Sequence, residues 1–206
     1  MPDQFLETKF HLPPLRPGSV SRFRLLDVLQ TGLADKCKLT LVSAPAGYGK
    51  TTLVVEWIQS LMAAQAIWTA WLSLGNADND LVRFLGYWIA TFNRANDRVN
   101  ENASNLLEIS QIPQAYTIMD ELINALADLE PPIVLVLDDY HVIINPQIHE
   151  ALEYFIDHQP AHVHLVIITR EDPPLPLAQE RARGRMTEIR AYELRFTHQE
   201  TLQFFT

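Results

Sequence analysis

Between Leu39 and Val54 the chain reads LTLVSAPAGYGKTTLV, and no other stretch narrows the possible folds as far. Leu39 to Ser43 is a short, mostly apolar run that predicts a strand. Ala44-Pro45-Ala46-Gly47-Tyr48-Gly49-Lys50-Thr51-Thr52 follows, and an apolar helical pattern begins at Leu53. Strand, glycine-bearing loop and helix in that order make a phosphate-binding loop. Gly47 and Gly49 admit backbone conformations that turn successive N–H groups of residues 46 to 52 inward on one phosphate, so Ala46, Tyr48 and Thr52 belong to the candidate cradle. The helix opening near Lys50 adds unpaired N–H groups and the positive end of its dipole. Lys50 is expected to reach the β- and γ-phosphates, and the Thr51 hydroxyl to ligate Mg²⁺. The first glycine of G-x-x-x-x-G-K-[ST] is Ala44 here, which asks only for an ordinary backbone angle at the strand exit. The competing reading is a chance glycine-rich strand-to-helix turn, and the flanking patterns weigh against it.

Such a loop needs a carboxylate that holds the metal from the opposite side. Ile133 to Leu137 is an uninterrupted apolar run ending in Asp138-Asp139, the pattern of a central parallel strand buried on both faces. Asp138 is then the candidate Mg²⁺ partner, and Asp139 the residue that orients or activates an attacking water. A helix cap or a solvated strand end would also leave two acids there. Val163 to Ile168 is another buried strand, followed by Thr169 and Arg170. In P-loop folds with a strand inserted between the loop strand and the acid strand, this segment is the insert. Thr169 and Arg170 would then sit beside the γ-phosphate, where a cation can sense nucleotide state. The alternative is an arginine at a solvated strand end.

The remaining chain alternates in the same way. Phe23, Leu26, Leu29 and Leu33 repeat at helical spacing with Ser21 as N-cap. Leu53, Val54, Trp57, Ile58, Leu61 and Met62 share one helical face. Ala66 to Leu74 predicts a strand, a long amphipathic helix starts near Leu81, and 93–112 reads as polar loop. Tyr116, Met119, Leu122, Ile123 and Leu126 mark a further helix, as do Ile148, Leu152, Phe155 and Ile156, and Thr187 to Arg190 a fifth strand. The fold class is therefore α/β: a P-loop NTPase three-layer sandwich, with a mainly parallel five-stranded sheet of expected order 5-1-4-3-2 and flanking helices. Residues 1–21, with four prolines, read as an extended arm; 22–196 as the nucleotide-binding domain; 197–206 as the start of a helical lid segment of a longer chain, capped by Thr197.

Composition removes several classes. Sixteen Lys and Arg against 25 Asp and Glu give a net charge of −9, which argues against this segment itself gripping a nucleic-acid backbone. No apolar run approaches the ~20 residues of a membrane span, and the N-terminus lacks a basic-then-apolar leader. The single cysteine, Cys37, fits a reducing cytoplasm. His158, His162 and His164 straddle Pro160 without the ligand spacing of a zinc site. Arg181, Arg183, Arg185 and Arg190 form a basic cluster that could meet phosphate or a neighbouring domain, or be a solvated face.

Five stretches together carry a resemblance: VSRFRLLDVL (20–29), SAPAGYGKTTL (43–53), WLSLGNADNDLVRFLGYW (71–88), VLDDYH (136–141) and ITREDPPLPLAQERARGRMTEIRAYELRFT (168–197). They span nearly the whole chain and resemble the nucleotide-binding domain of signal-transduction ATPases of the STAND class, most closely the MalT-like ATP-binding regulators of the LuxR family. The loop alone is generic; its combination with LDDYH and TREDPPLPLA is much narrower. The resemblance implies an ATP/ADP switch with slow hydrolysis and ATP-dependent self-association of the full-length protein. It also implies a lid, a helical-repeat sensor and a DNA-binding domain outside these residues. It places Arg22 of Val20-Ser21-Arg22 against the adenine and phosphates, where the bare sequence supports only a helix start. Two other readings stay open: a small-molecule P-loop kinase, and a nucleotide-binding scaffold that does not hydrolyse.

Overall fold

The computed structural model describes residues 5–64, 67–95, 115–130 and 132–204. Its elements are α1 (Phe23–Ala34), β1 (Leu39–Ser43), α2 (Lys50–Ala63), β2 (Trp68–Ser73), α3 (Leu81–Ala95), α4 (Ala115–Ala127), β3 (Ile133–Asp138), α5 (Pro146–His158), β4 (Val163–Thr169), α6 (Leu177–Ala182), β5 (Met186–Arg190) and α7 (His198–Phe204). The polar stretch expected over 93–112 lies outside the described residues from 96 onward.

The sheet runs β2-β3-β4-β1-β5, every pairing parallel, which is the expected order read from the other edge. β1, β3 and β4 are buried along their whole length, because helices cover both faces. Ile133, Leu135 and Leu137 of β3 face Phe84, Trp88, Met119, Leu122 and Phe155 of α3, α4 and α5. Val134 and Val136 face the other way, among Leu25, Leu29, Leu53, Val54, Trp57 and Ile58 of α1 and α2. The period-2 alternation of a strand thus feeds two separate cores.

Several local expectations shift. Ser21 does not cap α1: Arg22 is the N-cap residue, and the Ser21 hydroxyl is buried without a partner among the described residues. Phe23 is 70% exposed, and Met62 and Tyr116 also lie largely in solvent, so each helix buries a narrower face than its apolar pattern suggests. Thr197 does cap α7, in a reciprocal box: its hydroxyl accepts from the Glu200 amide at 3.3 Å and the Glu200 carboxylate accepts from the Thr197 amide at 2.7 Å. The N-terminal arm forms a 3-10 turn over Glu7–Lys9. Phe5 and Phe10 pack on Tyr87, and Lys9 joins Arg83 on the fully buried carboxylate of Asp78.

The histidines are held by backbone and core. His158 and His162 meet the carbonyls of Tyr154 and Leu126 at 2.8 and 2.9 Å. His164 lies inside β4 with Nδ1 2.6 Å from the Cys37 carbonyl and Nε2 2.8 Å from the Thr40 hydroxyl. A carbonyl only accepts, so Nδ1 carries the hydrogen and Nε2 accepts from Thr40. Burial pushes its pKa down to about 4, with the Cys37 carbonyl pulling the other way. A depressed histidine pKa favours the folded state above the unfolded value near 6.5, and that contribution is lost as pH falls toward 4. Between pH 7 and 4 we expect unfolding free energy of the wild type to fall by about 3 kcal/mol more than that of His164→Asn. Urea unfolding at both pH values checks this; a difference independent of pH would mean the ring is not held neutral.

Candidate functional site

The loop after β1 turns on two glycines in the left-handed region, Gly47 at φ 86° and Gly49 at φ 72°. L-residues adopt these angles only at a cost, so glycine is what lets the chain close from strand to helix here. Among the described residues no acceptor takes the amides of Gly47 to Thr52; the first bonded amide is that of Leu53, to the Gly49 carbonyl at 3.0 Å. Unpaired amides at the start of α2 form a ready anion cradle.

Arg22 holds this loop from behind. It is only 4% exposed, and its guanidinium donates to the carbonyls of Tyr48 at 3.1 Å, Gly49 at 2.6 Å and Leu194 at 3.2 Å. In a trans peptide the carbonyl of one residue and the amide of the next point in opposite directions. Anchoring the carbonyls of Tyr48 and Gly49 on Arg22 therefore turns the amides of Gly49 and Lys50 away from it. Arg22 thus touches the loop through its carbonyls and ties it to the segment after β5. A side chain at position 49 would also be strained, since a Cβ there would lie 2.9 Å from the guanidinium.

On the acid side, Asp138 ends β3 at 5% exposure. β4 lies between β3 and β1, so the acid and the loop strand are two strand spacings apart, about 10 Å. The first turn of α2 spans that gap: the Thr51 hydroxyl lies 3.2 and 3.3 Å from the two carboxylate oxygens of Asp138. Burial raises the Asp138 pKa to about 6, with help from Asp139; the Asp139 amide at 2.9 Å, Thr51 and Lys50 oppose the rise. A carboxylate under that strain favours a cation beside it. Lys50 is 8% exposed and donates to the Pro45 carbonyl at 3.1 Å. Burial lowers its pKa, Arg170 adds to this, and Asp139 and Asp138 pull it up.

Asp139 sits at φ 58°, a left-handed residue other than glycine, with its carboxylate half exposed and 3.7 Å from His141 Nδ1. Aspartate tolerates that region better than most residues, and such strain gathers at functional turns. Arg170 follows β4, is exposed, and has no hydrogen-bond or ion-pair partner among the described residues. The Thr169 hydroxyl is spent on the Glu171 carbonyl at 2.7 Å. The four arginines from 181 to 190 are paired: Arg181 and Arg190 with Glu188, Arg183 and Arg185 with Asp157 and Glu180, and Arg190 also with Asp172, which accepts from Ser43 at 3.3 Å. That basic cluster is neutralised within the fold. The structure thus brings Ala46 to Thr52, Asp138, Asp139 and Arg170 to the carboxyl ends of β1, β3 and β4.

No protein-family model matches the chain. Across 97% of its length it is 38% identical to the HTH-type transcriptional regulator MalT of Klebsiella pneumoniae (strain ATCC 700721 / MGH 78578), and equally to that of Cronobacter sakazakii. The chain spans 21% of the length of these relatives. The resemblance to MalT-like regulators therefore runs along almost all of these residues. Solved structures share the fold at low identity. Cdc6p from Pyrobaculum aerophilum superposes with TM-score 0.58 at 14% identity, covering 90% of this chain and 49% of that one. A Walker-type ATPase of Pyrococcus abyssi gives 0.56 at 13% identity, covering 94% and 60%.

Burial and three carbonyl partners separate Arg22 from the surface arginines. Removing the guanidinium in Arg22→Met should lower unfolding free energy by at least about 2 kcal/mol, because buried carbonyls lose a charged donor. Arg24→Met, which breaks a more exposed pair with Glu200, should cost about 1 kcal/mol or less. Urea denaturation of both variants is the check; equal losses would contradict an anchoring role for Arg22.

Proposed function

We propose that the chain is the nucleotide-binding switch domain of a signal-responsive transcriptional regulator, taking ATP and ADP with Mg²⁺ and hydrolysing ATP slowly. The observation that carries this reading is the contact between Thr51 and the buried Asp138, beside a loop of unpaired amides and Lys50. Mg²⁺ keeps several waters and takes one or two oxygen ligands from protein in phosphate sites. A hydroxyl and a carboxylate at hydrogen-bond distance match that donor set, and the raised pKa of Asp138 marks an uncompensated negative charge. When bound, the ion would neutralise phosphate charge. Thr51 and Asp138 would hold it, the amides of residues 46 to 52 would cradle the phosphates, and Lys50 would leave the Pro45 carbonyl for the β- and γ-oxygens.

Asp139 is proposed to orient the attacking water, and Arg170, exposed and unpaired among the described residues, to meet the γ-phosphate. Arg22 acts on the nucleotide through the loop it anchors. The similarity to MalT, an HTH-type transcriptional regulator, supports a regulatory parent with further domains; we propose lid, sensor and DNA-binding parts among them, and ATP-dependent self-association of that parent. At net charge −9, DNA contact would belong to residues outside this chain. No helix among the described residues is long and apolar enough to cross a membrane.

The roles separate by substitution. Lys50→Ala should weaken binding of labelled ATP about 10- to 100-fold, the loss of a charged hydrogen bond to phosphate. Asp138→Asn should weaken binding in Mg²⁺ and change nothing in EDTA. Asparagine also tolerates the left-handed region, so Asp139→Asn tests chemistry without disturbing the turn. It should leave affinity nearly intact and slow single-turnover hydrolysis by ~10²–10⁴-fold. Equal ATP affinity in wild type and Lys50→Ala would overturn the nucleotide reading, and unchanged hydrolysis in Asp139→Asn would remove that residue's role.

A further inference from the structure

Behind the turn that carries Asp139 lies a second concavity, about 470 Å³ in volume and lined by none of the loop residues 44 to 52. Its walls are the turn after β3, the loop after β4 and the first two turns of α5. A volume of this order is that of small-molecule pockets. His149, Glu150 and Glu153 share one face of α5 and line it, with Glu171 across the opening.

The floor is polar and built. His149 is 7% exposed, and its Nδ1 lies 2.8 Å from the hydroxyl of the fully buried Tyr140. Burial keeps the Tyr140 phenol protonated and pushes the imidazole pKa down, so the pair is neutral. The phenol has no other hydrogen-bond partner among the described residues, so its hydrogen goes to Nδ1 and the histidine carries the Nε2–H tautomer. That donor, on the ring edge opposite Tyr140, has no acceptor among the described residues. At the rim, the side chains of Glu150, Glu153 and Glu171 have no hydrogen-bond or ion-pair partner among the described residues. The fourth lining carboxylate, Asp172, is paired with Arg190. Prolines and isoleucines, Pro173 and Ile143 among them, supply apolar walls.

We propose that this cavity is a second ligand site, for a small organic cation that carries a carbonyl or hydroxyl oxygen near an apolar stem. The carboxylates take the charge, the walls cover the stem, and the Nε2–H of His149 donates to the oxygen. The site stands independently of the nucleotide reading, since no cradle residue lines it.

Arginine amide is the probe, with neutral N-acetylglycinamide and succinate as controls, each titrated in the absence of nucleotide and followed by NMR. The cation should saturate with a Kd on the order of a millimolar, as a ligand of a dozen heavy atoms allows. The shifts should centre on the His149 imidazole and the Tyr140 amide, and the controls should not saturate. Glu150 and Glu153 are exposed, so Glu150→Gln with Glu153→Gln leaves the fold intact and should weaken binding about tenfold. Three results would each overturn the proposal: no saturation by arginine amide, equal binding to the double variant, or shifts centred on Lys50 and Asp139.

Discussion

A carboxylate closed off at the end of a hydrocarbon strand is the condition around which this molecule is arranged. Asp138 is preceded by five buried apolar residues, and a charge in that position is costly unless something answers it. The answer comes from the helix that follows a different strand. Because β4 is inserted between β1 and β3, α2 must lean across the end of β4 for Thr51 to reach Asp138, which it does at 3.2 Å. Lys50, one residue earlier, brings a cation into the same space. Sheet order, helix placement and electrostatics therefore meet at one acid, whose pKa near 6 leaves room for a further positive charge.

The loop on the other side solves the reverse problem. Its carbonyls at Pro45, Tyr48 and Gly49 are satisfied, while among the described residues no acceptor takes its amides from Gly47 to Thr52. Gly47 and Gly49 allow the turn, and Arg22 takes the outward carbonyls so that the following amides point the other way. The same guanidinium bonds the Leu194 carbonyl after β5. The loop and the segment between β5 and α7 are thus bonded to one buried side chain, which is their shared anchor.

How much of this was legible depended on range. β1, β3 and β4 were legible because their buried runs are continuous, and the loop and the Asp138-Asp139 pair because their residue types are tied to local geometry. The sheet order followed from placing 163–168 as an inserted strand. Arg22 was legible only as a helix start, since its partners lie 26, 27 and 172 residues away. Asp78 gave no sign that it would be buried, because Lys9 comes from an arm without periodicity 69 residues earlier. The basic cluster at 181–190 left phosphate, a neighbouring domain and a solvated face all open; Glu180 and Glu188 lie beside it in sequence, but Asp157 is separated from it by β4 and meets it only in the fold. Phe23 and Met62 fitted apolar faces whose width depended on neighbours the sequence does not display. The pocket over Tyr140 and His149 combines two loops and a helix, and no single window contains it.

The central claim is that the amides opening α2 and the acid ending β3 form one phosphate and metal site. Amide NMR of the ¹⁵N-labelled chain, titrated with ADP in the presence of Mg²⁺, addresses it directly. The account predicts that the largest shifts fall on Gly47 to Thr52 and on the Asp139 amide, and that the Asp139 shift depends on Mg²⁺ while the loop shifts persist in EDTA. Saturable ADP binding that leaves Gly47 to Thr52 unmoved, or no binding at all, would contradict it.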